Sequence, residues 1–240
     1  MTTSQSCCQE TSGQAASSEC CGGAAKAASG TCCKTAVAAH IIPRLGKVDS
    51  LEKITALPNA ELVMRFRKGV ENFDRRLFWL TEEQLDQAFL PDAGVGRWPA
   101  RVLIGHVADA DLVAIHRMRK IVAEERPLLT EWDENAFVDQ NLYGVGQGAS
   151  GGGSIGAFVA IIHTLRQWAA MWLAGLSDAQ LARTGMHPTK GEQSVRTIVA
   201  SYTYHLEYHA AFLNAKIVKF LGEAAEASEA PAAGGCGCKH

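Results

Sequence analysis

From about residue 58 to residue 222 the apolar side chains return every three or four positions, the spacing of one face of an α-helix. The first stripe, Leu62, Phe66, Val70, Phe73, Leu77 and Leu80, predicts a helix over 59–80. The second helix begins at Pro99, a residue suited to the first helical position. It carries Leu103, His106, Val107, Ala110, Val113 and Arg117, and Pro127 stops it. Ser154 can cap a third helix bearing Ile155, Phe158, Ile162, Leu165, Ala169 and Leu173. Ser194 can cap a fourth, with Val195, Ile198, Tyr202, His205, His209, Phe212, Ile217 and Phe220 on one side. After the first and third helices come Thr81-Glu82-Glu83-Gln84-Leu85 and Ser177-Asp178-Ala179-Gln180-Leu181. Both are capping boxes, and a Gly-containing loop follows each. No segment alternates apolar and polar residues long enough to argue a sheet. The expected fold is all-α, an up-down-up-down four-helix bundle of two similar hairpins with pseudo-twofold character.

The flanks lack this periodicity. Residues 1–48 and 223–240 read as disordered tails around a bundle over 49–222, because they hold too few large apolar groups to offset the entropy of ordering. All eight cysteines lie in them: Cys7, Cys8, Cys20, Cys21, Cys32 and Cys33 as three vicinal pairs, then Cys236 and Cys238 as a CxC. A central domain without cysteine fits a reducing, cytoplasmic compartment. Paired thiolates suit thiophilic ions such as Zn(II) and Cu(I), although zinc-finger spacing is absent. The tails are therefore expected either to hold extra thiophilic metal or to be inert segments whose thiols oxidise. An up-down-up-down bundle would bring the two cysteine sets to one end.

Charge narrows the function. With 23 Lys and Arg against 25 Asp and Glu there is no positive excess to bind nucleic acid. No apolar run is long enough to span a membrane, and MTTSQSCCQE lacks the features of a secretory signal. Gly146-Gln147-Gly148-Ala149-Ser150-Gly151 matches GxGxxG but follows no strand, so a dinucleotide site is excluded.

The chemistry lies in the histidines. His205 and His209 are four apart on the apolar stripe of the fourth helix, and His106 is on the stripe of the second. A lone inward His is usually a hydrogen-bonded core residue. Three imidazoles among Val, Ile, Ala and Phe need partners for six nitrogens, and one divalent ion satisfies three of them at once. Three His with a position left open form a catalytic rather than a closed structural arrangement.

The run Trp98-Pro99-Ala100-Arg101-Val102-Leu103-Ile104-Gly105-His106-Val107-Ala108-Asp109-Ala110, followed by Arg117, resembles the second helix of the DinB/YfiT-like superfamily. His205-Leu206-Glu207-Tyr208-His209 resembles that family's second histidine motif, and Arg166 and Gly185-Met186-His187-Pro188 are also similar. The resemblance covers about residues 58–222. It implies a four-helix bundle, often a homodimer, that binds one divalent ion through His106, His205 and His209, with zinc or nickel the expected metals. It also implies a small-molecule substrate and either transfer chemistry with a low-molecular-weight thiol or hydrolysis. Two positions depart from the family pattern. Pro99 stands where Ser or Thr is common, and Leu206 stands where an Asp that can support a ligand imidazole is frequent.

Asp109 shares the face of His106 and is a candidate acceptor behind it, extra ligand or general base, against the reading of a surface carboxylate. Arg117 and Arg166 lie on inward stripes, where they bind an anionic substrate or pair with acids such as Asp109. Tyr202 lines the pocket or packs. His116 and His163 read as packing or surface residues, and His187 and His240 fall in loop and tail. Three readings stay open: a metal-dependent transferase or hydrolase, a non-catalytic metal-handling protein, and a structural bundle with a histidine network.

Overall fold

The structure is a computed structural model, and it describes residues 48–147 and 153–223. The cysteine pairs, the terminal CxC and most of the GxGxxG run lie outside the described residues. Among the described residues, no helix is long and apolar enough to cross a membrane.

The short helix α1 (Leu51–Thr55) is followed by α2 (Asn59–Arg67), α3 (Glu82–Asp86), α4 (Ala100–Ala123), α5 (Glu134–Asp139), α6 (Ile155–Leu173), α7 (Asp178–Leu181) and α8 (Val195–Leu221). A two-stranded antiparallel hairpin, β1 (Thr184–His187) and β2 (Gly191–Ser194), precedes α8. Both capping boxes form, on Thr81 with Gln84 and on Ser177 with Gln180. Ser154 and Ser194 cap α6 and α8 as their positions predict. Pro99 is the residue before the first turn of α4 rather than its first member.

Three further expectations are corrected. The helix expected over 59–80 stops at Arg67 and continues as two 3-10 turns, Gly69–Asn72 and Arg75–Trp79. Gly69 sits where a Cβ would come within 2.6 Å of Arg166 Nη1, and Asp74 caps the second turn through Arg76 N at 2.9 Å. The loop around Gly185 and Pro188 is a β-hairpin. Its Met186 also pairs with the chain after Pro127, through Met186 N to Pro127 O at 2.8 Å and Leu129 N to Met186 O at 2.9 Å.

The third correction is topological. The four-helix bundle is as expected, but its helices do not run up-down-up-down. α2 and α8 run parallel: Arg196 reaches Thr55 O and Leu57 O, Arg65 pairs with Glu207, and Arg76 reaches Gly222 O. α4 and α6 also run parallel, with Arg101 on Gly153 O, Arg166 on Asp111 and Arg119 over Trp168. α4 opposes α8, as Lys216 on Gly96 O and Arg117 on Tyr202 show. The order is thus up-down-down-up, and the second hairpin is inverted relative to the first. Parallel neighbours need a long crossover, and residues 124–154 supply it. The start of α2 therefore sits beside the start of α8, not beside its end, which removes the reason for expecting the two tails to meet.

Apolar burial falls into two clusters. One joins Ile54, Phe66, Ala114, Ile115, Met118, Leu173, Leu181, Val195 and Ile198–Ala200; the other joins Leu77, Leu85, Leu103, Ile104, Ile162, Leu206, Leu213 and Ile217. Between them, on α4, α6 and α8, stand Asp111, Arg166 and Tyr202. Arg166 and Asp111 are both fully buried and bonded twice, at 2.6 and 2.7 Å. Arg166 also donates to Phe66 O at 3.0 Å and Tyr202 O at 2.8 Å, and stacks on the Phe66 ring at 4.3 Å. One guanidinium thus ties all four long elements together. The planar fork of donors makes Arg suited to this task.

Candidate metal centre

α4 carries His106 and α8 carries His205 and His209 inward at one level of the bundle. Four-residue spacing puts the last two on one face of α8, and the antiparallel packing of α4 on α8 brings His106 against them. The Nε2 atoms of His106 and His209 each lie 3.1 Å from His205 Nε2. The three form the group of His, Cys, Asp and Glu side chains, among the described residues, with metal-holding spacing.

Burial sets their charge. It pushes His106 down to about 4. Burial, reinforced by the positive charges that His106 and Lys216 carry when protonated, pushes His209 down to about 3. His205 is lowered well below its ordinary value, by burial first and then by His209 and His106. All three are neutral near pH 7 and present lone pairs rather than charges. A proton between two Nε2 atoms can serve one pair, but His205 Nε2 faces two neighbours. A cation satisfies all three. Imidazole nitrogens about 2.0–2.1 Å from an ion stand roughly 2.9 Å apart at right angles and roughly 3.4 Å apart in a tetrahedron, and the spacing here lies between. The donor set fits a divalent ion.

The surroundings are aromatic. Trp98 meets His106 edge-on, with ring centroids 4.9 Å apart, and lies parallel to His209 at 6.3 Å. Trp132 stacks on His106 at 5.3 Å and 20°, and Phe137 closes on Trp132 at 5.7 Å. The Nδ1 atoms of His106 and His205 are buried without a hydrogen-bond partner. This matches Leu206 standing where the family often has Asp, since no carboxylate takes up the imidazole N–H groups.

The other sequence candidates are placed differently. Asp109 makes no contact with the His106 Nδ1. It is half-buried beside Tyr143, and burial raises its pKa. Arg166 pairs with Asp111, two residues beyond the acid expected. Arg117 is also buried and fully engaged, donating to Thr130 O at 2.9 and 2.6 Å and to the Tyr202 hydroxyl at 3.0 Å. Tyr202 lies against His205, with ring centroids 5.7 Å apart. His116 and His163 are exposed. His187 is buried, and its Nδ1 accepts from Thr189 N and Lys190 N, both at 3.3 Å, to shape the hairpin turn.

The sequence reading passed over Trp132 and Glu134. The Glu134 carboxylate lies 4.0 Å from His106 Nε2. Both residues come from the crossover, which reads as loop because α5 is too short to show periodicity. The available signal was Asp133, which caps α5 through Asn135 N and Ala136 N.

The family model of the DinB superfamily matches residues 65–213. The chain belongs to the DinB superfamily. Two proteins of Oceanobacillus iheyensis that carry provisional metal-dependent hydrolase names are similar. One is 27% identical over 135 residues, covering 56% of this chain and 71% of its own. The other is 23% identical over 172 residues, covering 70% and 91%. The solved structure of YfiT from Bacillus subtilis, described as a probable metal-dependent hydrolase with an unusual four-helix bundle topology, aligns with a TM-score of 0.58. It is 21% identical, and the alignment covers 69% of this chain and 89% of that one, a likeness of fold.

Proposed function

We propose that this DinB superfamily member is a metal-dependent hydrolase of small molecules, holding one divalent ion, zinc or nickel, on His106, His205 and His209. The observation that carries this reading is the convergence of three neutral Nε2 atoms, on the buried His106 and His209 and the half-buried His205. A divalent ion there supplies a Lewis acid and lowers the pKa of water bound to it. Trp98 and Trp132 keep bulk water from the imidazoles. Glu134 offers an acceptor for a proton beside them, with Asp109 as a second carboxylate next to Tyr143. Arg117 holds the crossover to α8, and Arg166 holds α8 to α2 and α4, so both act by positioning. The names of the similar proteins support the hydrolytic reading.

Transfer to a low-molecular-weight thiol is the second reading, and non-catalytic metal handling with thiophilic ions on the cysteine tails is a third. Cytoplasmic location and a homodimer complete the proposal. The test is metal analysis of purified protein, followed by turnover of ester and amide panels, and of thiol–electrophile pairs, with and without chelator. One ion per chain is expected, lost in each of His106→Ala, His205→Ala and His209→Ala, together with chelator-sensitive hydrolysis. Full stoichiometry in all three variants would overturn the site. Turnover confined to thiol–electrophile pairs would replace hydrolysis with transfer.

A further inference from the structure

Glu134 is a carboxylate held against the imidazole cluster without a hydrogen-bond partner among the described residues. Its side chain is only 25% exposed, and its oxygen stands 4.0 Å from His106 Nε2. That is too long for a hydrogen bond, and a neutral imidazole offers no ion pair. Among the described residues no hydrogen bond to this carboxylate forms. Lys190, an exposed cation, is the positive charge that acts on it. The neighbouring Trp132 indole N–H is likewise buried without an acceptor. Partly desolvating an unpaired carboxylate is costly, and at 4.0 Å from His106 Nε2 it stands where a proton-carrying group bound at the imidazoles would find an acceptor.

We infer that Glu134 makes the open position of this site select a protic oxygen ligand, such as water or a hydroxamic acid, over a bare anion, a thiolate included. The inference rests on the metal reading above and deepens it. A protic ligand donates to the carboxylate, whereas an anion held beside the imidazoles is repelled by it. The same group that helps water therefore works against a bound thiolate, which favours hydrolysis over thiol transfer.

The test uses the full-length chain with its thiols alkylated and loaded with Co(II), whose visible absorption reports the ligand at the open position. The wild type and Glu134→Gln are expected to take up one Co(II) per chain with similar affinity. Glu134→Gln should bind acetohydroxamic acid about tenfold or more weakly, the usual worth of a hydrogen bond to a charged group, and should bind azide more tightly. Unchanged affinities, or both probes shifting in the same direction, would overturn the inference. So would loss of Co(II) by Glu134→Gln, which would make Glu134 a ligand. If the wild type binds no more Co(II) than His205→Ala, the metal reading itself fails.

Discussion

Acid should destabilise the metal-free protein through its buried imidazoles, and His106 gives the magnitude. An unfolded histidine titrates near 6.5, whereas burial holds His106 at about 4 in the fold. Between those values the unfolded chain binds a proton that the folded chain refuses. The stability due to this group is complete above pH 6.5, falls as pH drops through the window, and levels off below about 4. For one such histidine, moving from pH 7 to pH 5 costs about 2 kcal/mol. The ring is fully buried, so solvent screening gives no reason to discount that figure. The clean measurement is a difference between two chelator-treated proteins, the wild type and His106→Gln, each unfolded by urea at both pH values. Other titrating groups largely cancel in that comparison. The wild type should lose about 2 kcal/mol more than the variant, roughly 4–8 °C in Tm for a domain of this size. Equal losses would refute the reasoning and would mean that the imidazoles are hydrated or already partnered in solution.

Asp111→Ala should cost about 3–5 kcal/mol by stranding Arg166 as a buried charge. The double variant Asp111→Leu/Arg166→Met should recover part of that loss in equilibrium unfolding, and a double variant as unstable as the single one would show that the bonds of Arg166 to Phe66 O and Tyr202 O, not the stranded charge, carry the cost. Gly69→Ala should cost about 1–3 kcal/mol in the same assay, because its Cβ would meet Arg166 Nη1 at 2.6 Å and Leu206 Cδ1 at 3.0 Å. An unchanged midpoint would show that the guanidinium yields freely.

The parts of this molecule legible in its sequence are those governed by local rules. The stripe of α8, the serines that cap α6 and α8 and the two capping boxes depend on neighbours three or four residues away, and they form as read. So does the meeting of His106 with His205 and His209, because inward positions on packed helices have few places to point. What stayed hidden depends on distant contacts. The break after Arg67 answers to Arg166, about 100 positions away. The β-hairpin is stabilised in part by backbone bonds to Pro127 and Leu129. The direction of the second hairpin is set by the path of the crossover, on which helix periodicity is silent. Glu134 was missed for the same reason, since its place beside His106 comes from where the crossover lies and not from its spacing to any histidine.

The inversion of the second hairpin has an engineering consequence. Joining α4 to a parallel neighbour obliges the chain to make the excursion of residues 124–154, whereas a short turn to an antiparallel neighbour would have left nothing to lay over the imidazoles. Three nitrogen donors stand on the rigid rods α4 and α8, while Trp132 and Glu134 ride on the excursion, fastened by Arg117 at Thr130. On the function proposed above, ion capture and ligand choice are therefore written in different stretches of the chain. Randomising residues 131–143 while leaving both helices untouched, or grafting that stretch from a relative, should yield a library that keeps one ion affinity and varies in what binds beside the ion.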